Sequence, residues 1–470
     1  MAAVLGANSV VDSGFKVTNS VRFNDGDSAY MHKTAAAGSR RIFTFSTWFK
    51  RGQLGTNQQL FNSYSAANAG GFAYMQLEAI ESGVVGDRIS LEVYGTILLK
   101  TTQVLRDPSS WYHLVIAVDT TSGTANNRCR MYLNGTEITD FVTRNNPDQN
   151  FDFAFNQNNI DMYLGSNNYG GNKGNYFDGY MAEVVWIDGT QYAATDFGEF
   201  DEDSNIWKPL ESVSDLTFGT NGFYLDFKAS GNLGNDANGG TDLTEVNLAA
   251  TDQSTDTCTN NGNTFQPLDF QASTQTLAEG NLKVTTDSGG DWEVMASTIG
   301  VTSGKWYFEA KLVTLGTNAI IGVIDINDAR LNTTSSYYIG QSTPGKGYQN
   351  NGARPDNGAS FGDTYTDADI IGVAIDMDNL KLYFSKNGTF QNSGDPTSGA
   401  TGTNAQDLTA STTYCFAISG YASTVWEANF GSPSYAISSG NADGNGYGNF
   451  EYAVPSGYYS LNTKNLGEFG

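Results

Sequence analysis

Two aspartates close the same phrase in two places. Asp119 ends LVIAVD and Asp376 ends IIGVAID, and each is followed by a turn, an alternating strand and Asn-Gly. With Asp378, Asp376 makes a pair in IDMDN that could pass a proton between carboxylates. Glycoside hydrolysis needs two such groups, roughly 5 Å apart when configuration is retained. Glu199, Asp201, Glu202 and Asp203 crowd into FGEFDEDSN, and Glu183 and Asp188 flank VVWI. Each group has a plainer reading. Asp119 and Asp376 fall at strand-to-strand turns, where Asp bonds its own backbone. FGEFDEDSN lacks alternating apolar residues and reads as a solvated loop. The odd separation of Glu183 and Asp188 puts them on opposite faces of a strand. His32 and His113 are the only histidines, with no third ligand at a usable spacing. No catalytic residue and no metal ligand is assigned.

Binding chemistry is better represented. A sugar site sets an aromatic face against the ring and amides or carboxylates against its hydroxyls. YLGSNNYGGNKGNYFDG offers this mix through Tyr169, Asn172, Asn175, Tyr176 and Asp178. YYIGQSTPGKGYQNNGARPDNG offers it through Tyr337, Tyr338, Tyr348, Asn350 and Arg354. The competing reading of both is a Gly/Asn-rich loop anchored to a core by its tyrosines.

The elements that must position these loops are strands. No segment keeps a helical apolar period, while 54 glycines against 9 prolines suit many tight turns. Ile42 to Phe49 carries apolar mass on both faces, which predicts a central strand. Asn134-Gly135 predicts a hairpin with a type I′ turn. Leu380, Leu382 and Phe384 alternate with polar neighbours, which predicts a half-buried strand. The fold class is all-β, two consecutive antiparallel β-sandwich (jelly-roll) domains. Residues 1–20 form a short N-terminal segment, 21–227 the first sandwich, 228–263 a Gly/Asn-rich linker and 264–470 the second sandwich. The loops at 331–362 and 432–450 are long for a compact sandwich, which marks binding loops.

Net charge sets limits. At −25, the chain lacks the clustered Lys and Arg that nonspecific nucleic-acid binding requires. No run reaches the roughly 18 apolar residues of a membrane helix, so membrane insertion is not expected. Cys129, Cys258 and Cys415 are too scattered for a disulfide framework or a zinc site and read as buried thiols. The opening MAAVLGANSVVDSG lacks a basic n-region and is not a secretion signal.

Particular phrases resemble known families. SVRFNDGDSAYM, FTFSTWFKRG, LLKTTQVLRDPSSWYHLVIAVDTT, MYLNGTEIT, YLGSNN and YFDGYMAEVVWIDG together resemble a concanavalin A-like lectin/glucanase domain of the laminin-G/pentraxin type, from about Ser20 to Phe227. STIGVTSGKWYFEAKL, IIGVAIDMDNLKLYFSKNGT and PSGYYSLNTKNL resemble a SPRY (B30.2-like) domain, from about Thr264 onward. DTCTNNGNTFQPLD resembles the stretch that leads into SPRY modules in virion proteins of tailed bacteriophages, particularly marine ones. In that group the two modules occur in this order.

The resemblance implies a virion component such as a tail fibre, spike or capsid appendage. It would be assembled in the host cytoplasm and would contact host surface polysaccharide or another receptor. Its other partners would be virion proteins, and virion symmetry implies a homo-oligomer. Domains of the first type sometimes carry calcium. The Asp25-Gly26-Asp27 turn is a weak signal for it, and no cofactor is assigned. Three readings stay open: a non-enzymatic host-recognition protein, a capsid or tail decoration protein with only a stabilising role, and a polysaccharide depolymerase. The short N-terminal segment and absent heptads suggest a protein that caps or decorates another, with its second-domain loops outward.

Overall fold

A computed structural model describes residues 15–80, 86–268, 275–332, 336–342 and 344–470. The first fourteen residues of the expected N-terminal segment, part of the 331–362 loop and Asp269 at the end of DTCTNNGNTFQPLD lie outside them. The chain forms two compact units, divided between Thr259 and Asn260.

The unit ending at Thr259 has two eight-stranded sheets of antiparallel pairs. In the first, Ile42–Arg51 lies between Trp111–Asp119 and Gly179–Asp188, the central place its two apolar faces predict. Cys129–Leu133 joins Thr136–Glu137 through Asn134 and Gly135, whose φ values of 48° and 80° both lie in the left-handed region. That is the geometry of the I′ turn. In the second sheet the order is Phe141–Arg144, Thr96–Thr101, Ile89–Val93, Phe72–Leu77, Gln58–Tyr64, Asp161–Leu164, Tyr30–Thr34 and Thr244–Val246.

Between the two sheets lies an aromatic core. Phe45 stacks on Phe61 at 5.2 Å, and Trp186 lies 5.0 Å from Phe43. A second cluster, including Trp48, Trp111, Tyr180, Phe197 and Trp207, covers the other face of the first sheet. Both faces of Ile42–Arg51 are thus dry.

Residues 228–263 are not a linker. Thr244–Val246 pairs with Tyr30–Thr34, and Gln253–Ser254 pairs with Ser20–Phe23. The segment therefore adds an outer strand to each sheet. Its few apolar residues suffice: Leu233 and Leu243 are buried in the core. Asp236 accepts the Tyr224 and Asn238 N–H groups and Asp242 that of Asp236, which stabilises a stretch poor in apolar mass. The boundaries at 20 and 21 shift too. Val17 is buried, its N–H donates to Thr259 Oγ1 at 3.0 Å, and its carbonyl accepts from Thr257 Oγ1 at 3.0 Å.

The unit from Asn260 has a nine-stranded and a four-stranded sheet. In the larger sheet Lys305–Thr314 lies between Val425–Asn429 and Ile370–Asp376. All its pairs are antiparallel except that of Tyr459–Ser460 with Lys305–Thr314. The smaller runs Trp292–Val301, Tyr414–Tyr421, Asn318–Asp325, Lys346–Gln349. Phe308, Phe416 and Phe430 fill the core between them, with Trp306 and Trp426 in the same cluster. Lys381–Lys386 is buried on both faces rather than one. Leu382 and Phe384 face this core, while Tyr383 packs with Phe450 and Tyr458 in a separate cluster. The late loop covers the face that alternation had left to solvent.

Candidate functional site

Alternation fixes what each strand of the second sheet in the first unit shows to the outside. In Phe72–Leu77, Ala73, Met75 and Leu77 enter the core, so Phe72, Tyr74 and Gln76 point away from it. Paired residues share a face. The register aligns Glu92, Tyr74, Asn62, Tyr163, His32 and Thr244 in one row across six strands. Gln59, Gln76 and Ser90 form a second row beside it, and Tyr64 pairs with Phe72. The face is therefore tyrosine, amide and carboxylate in contiguous rows.

A hairpin lies across it. Asn167–Tyr169 and Asn172–Gly174 form their own two-stranded sheet, turning at Gly170 and Gly171 with φ of 62° and 89°. Tyr169 at its tip packs 5.1 Å from Tyr64 and 5.3 Å from Phe72. Tyr94 lies nearly parallel to Tyr169 at 6.4 Å. Tyr94 is 45% exposed and Tyr169 39%, among the few large apolar side chains that face solvent. Together with Tyr64 and Phe72 they make an aromatic platform. Beside it, the Glu92 carboxylate accepts from Tyr74 Oη at 2.7 Å, Gln76 Nε2 at 2.9 Å and Ser90 Oγ at 2.7 Å. Burial, reinforced by this carboxylate, holds the Tyr74 phenol well above its ordinary value.

The other leg of the hairpin crosses a second ring group. Lys173 Nζ sits 4.4 Å from the Tyr163 ring centre, a cation–π contact, and 5.8 Å from that of Tyr30. His32 stacks on Tyr163 at 5.6 Å, and Tyr176 lies 6.4 Å from Tyr30. Tyr163 Oη donates to Asp161 Oδ2 at 3.0 Å. Partial burial lowers the Lys173 pKa, and Asp161 offsets part of that shift.

Of the first candidate set, Tyr169 and Tyr176 lie on this face. Asn172 is exposed on the hairpin, its amide donating to Tyr169 O at 3.4 Å. The second set has a different place. Tyr337 is buried and its hydroxyl donates to Asp328 Oδ2 at 2.7 Å. Tyr348 is in the core and donates to the Asp363 carbonyl. Asn350 Oδ1 accepts the Ala319 N–H at 3.0 Å, and Arg354 pairs with Asp356, which also holds Lys346. These four side chains secure the loop to its sheet rather than lining an open surface. Tyr74, Tyr94, Tyr163, Gln59, Asn62 and Glu92 were missed as site residues. Their alternation was visible, but their adjacency depends on register.

The carboxylates and histidines elsewhere have structural partners. Asp119 accepts the Thr121 N–H at 2.9 Å. Asp376 accepts the Asn379 N–H at 2.9 Å and Lys305 Nζ at 2.9 Å, and Asp378 accepts the Gly304 N–H at 2.8 Å. Asp201 accepts the Ser204 N–H at 3.0 Å and pairs with Lys208. Glu183 sits at a bulge with φ of 49°, accepts from Tyr224 Oη, and burial pushes its pKa up to about 7. Asp188, inward on the same strand, accepts the Ser39 N–H at 2.7 Å and the Asn221 N–H at 3.1 Å. His113 is stacked between Trp48 and Trp207. Asp27 accepts from Asn24 Nδ2 at 2.9 Å within the DGD turn. Among the described residues, no group of three or more His, Cys, Asp or Glu is placed to hold a metal, and no helix is long and apolar enough to cross a membrane. The three cysteines are buried and unbridged.

These features define an all-β protein of two antiparallel sandwich units, with a tyrosine- and amide-lined face on the first. Residues 24–193 match the sequence profile described as the concanavalin A-like lectin/glucanases superfamily. A 123-residue stretch is 25% identical to the Ran-binding proteins 9/10 homolog of Drosophila melanogaster, covering 24% of this chain and 12% of that protein. The chain thus spans about an eighth of that relative's length. Among solved structures, the SPRY domain of human HERC1 is similar at 18% identity, with 35% of this chain and 96% of that one covered and a TM-score of 0.28. A putative carbohydrate binding protein from Bacteroides ovatus gives 16% identity, coverage of 49% and 58%, and a TM-score of 0.34. A heptameric SAP-like pentraxin from Limulus polyphemus gives 12%, coverage of 38% and 79%, and 0.30. With identities and TM-scores this low, no ligand is carried over from these structures.

Proposed function

We propose that this chain is a non-catalytic glycan-binding protein whose first unit holds saccharide against the outer face of its second sheet. The observation that carries this is the exposed Tyr94–Tyr169 pair beside buried rows of amide, hydroxyl and carboxylate. The rings suit the apolar face of a sugar, and the rows suit its hydroxyls. The profile match over residues 24–193 supports the reading. The non-catalytic reading draws support from the candidate acids: Asp119, Asp201, Asp376 and Asp378 all accept backbone N–H groups. We propose further that the protein is a virion component of a tailed phage, a tail fibre, spike or capsid appendage, that acts as a homo-oligomer with other virion proteins and binds host surface polysaccharide. This rests on the order of two module-like phrases and on the stretch from Asp256 that joins them.

The test is a glycan array with the purified chain, followed by a reducing-end assay on every polysaccharide retained. Binding without new reducing ends is expected. Released ends that vanish on removing one carboxylate would establish a depolymerase instead. Particle stabilisation with no glycan bound would establish a decoration protein. Mutation of the platform gives a sharper expectation. Tyr169→Ala should weaken glycan binding about tenfold, equivalent to about 1.4 kcal/mol, with little change in melting temperature because the ring lies on the surface. Calorimetric titration with the best array ligand reads this directly.

A further inference from the structure

We infer that the hairpin covers a saccharide subsite that accepts an uncharged sugar ring. This rests on reading the face as a glycan surface. The observation is a group of hydrogen-bond acceptors without donors. Gln59 Oε1, Asn62 Oδ1, Ser166 Oγ and Asn167 Oδ1 are buried and have no partner. Gln59 is 2% exposed, and Asn62 and Ser166 are fully buried. Gln59 and Asn62 project from the same face of one strand, paired with Gln76 and Tyr74. Asn62 Nδ2 donates to the Ser166 carbonyl, which brings the base of the hairpin over them.

A buried acceptor with no donor destabilises the fold. Three amide oxygens, with the Ser166 hydroxyl that can donate or accept, on one strand and the hairpin base beside it, suit a ligand that brings donors. Sugar hydroxyls do so, and a ring carries several at fixed angles. A uronate or sulfate would bring further acceptors, and negative charge beside Glu92 and Asp161 in a chain of net charge −25. Lys173, on the same hairpin, offsets Asp161 but leaves Glu92 without a counter-charge from it, so the lining stays net negative and selects a neutral glycan.

Entry needs the hairpin to lift. Its two strands pair only with each other, outside the eight-stranded ladder. Gly165, φ 82°, stands at its base and Gly170 and Gly171 at its tip. Main-chain bonds anchor its two ends: Gly165 N–H donates to the Leu60 carbonyl at 3.0 Å and Gln59 N–H to the Asn175 carbonyl at 2.8 Å. Between these anchors it is held down by the Asn62–Ser166 bond and the ring contacts of Tyr169 and Lys173.

The test titrates the full chain with neutral hexasaccharides of glucose, mannose and galactose and with hexamers of uronic acids. Gln59→Met keeps the side-chain length and removes the unpartnered oxygen. Wild type should bind a neutral hexamer and no uronate. Gln59→Met should bind it about fivefold more weakly, yet melt at a higher temperature without sugar. Ser166→Ala should behave alike, and serves if the first variant does not fold. A lower melting temperature with unchanged affinity would show that the oxygens hold internal water, and would overturn the inference. Uronate bound as tightly as neutral sugar would overturn it as well. So would calcium binding that Gln59→Met abolishes. In these cases, binding lost in a Tyr94→Ala/Tyr169→Ala variant would leave the wider glycan reading standing. No glycan bound by wild type would remove both.

Discussion

Asp256→Ala should destabilise the first unit by about 3–5 kcal/mol. Asp256 Oδ2 accepts from Lys50 Nζ at 2.8 Å, and Oδ1 accepts from Trp111 Nε1 at 2.9 Å. The Lys50 and Asp256 side chains are 1% and 4% exposed. Lys50 comes from the central strand Ile42–Arg51, and Trp111 begins the strand beside it. Removing the carboxylate strips a buried ammonium of its counter-charge and a buried indole of its acceptor. Asp256→Asn keeps the shape and an acceptor for Trp111 but not the charge, and should fall between alanine and wild type. Urea unfolding followed by tryptophan fluorescence checks both. A loss under about 1 kcal/mol in the alanine variant would mean the pair is screened as a surface pair is. The same carboxylate holds the end of the first unit against Trp111 of its second cluster.

His113 should give the first unit a steep acid sensitivity. Its Nδ1 accepts from Trp207 Nε1 at 3.0 Å, so the neutral ring carries its proton on Nε2 and donates to Ser46 Oγ at 2.9 Å. Burial pushes the pKa from 6.5 down to about 3. Between these values the unfolded chain binds a proton that the folded chain refuses, so stability rises with pH. The contribution is fully present above 6.5 and is lost as pH falls toward 3. At about 1.4 kcal/mol per unit, the loss is of order 5 kcal/mol across the window. Two shielded acids, Glu183 in the first unit and Glu309 in the second, act in the opposite sense. Burial raises Glu183 and Glu309 from 4.5 to about 7, so their contribution is present below 4.5 and lost as pH rises through 7. The comparison must therefore be between wild type and His113→Phe. Unfolding free energies at pH 7 and pH 4 should converge in the variant relative to wild type. Parallel pH curves would show that the imidazole takes up its proton as readily in the folded state as in the unfolded chain, and would contradict this prediction.

How much of this was legible depends on which residues are considered. Asn134-Gly135 announces its turn because few residues tolerate two positive φ values in succession. Ile42 to Phe49 announces a central strand because no solvent-facing strand carries apolar mass on both sides. The segment 228–263 misled because its composition is that of a linker, while its stability comes from two leucines and from aspartates that bond turn N–H groups. Tyr169 and Tyr337 look alike in their loops. One is on the surface and the other is buried, because Tyr337 has Asp328 and Ser342 to satisfy its hydroxyl. Composition does not distinguish an anchor from a platform. The row from Glu92 to Thr244 needs the register of six strands, which is set by long-range pairing and by a β-bulge between Gln59 and Phe61.

The most direct measurement is isothermal titration of a neutral hexasaccharide, chosen from the array, into wild type and into the Tyr94→Ala/Tyr169→Ala variant. Saturable binding by wild type that is lost in the folded double variant is expected. Equal affinity in the two proteins would contradict the placement of a glycan on this face.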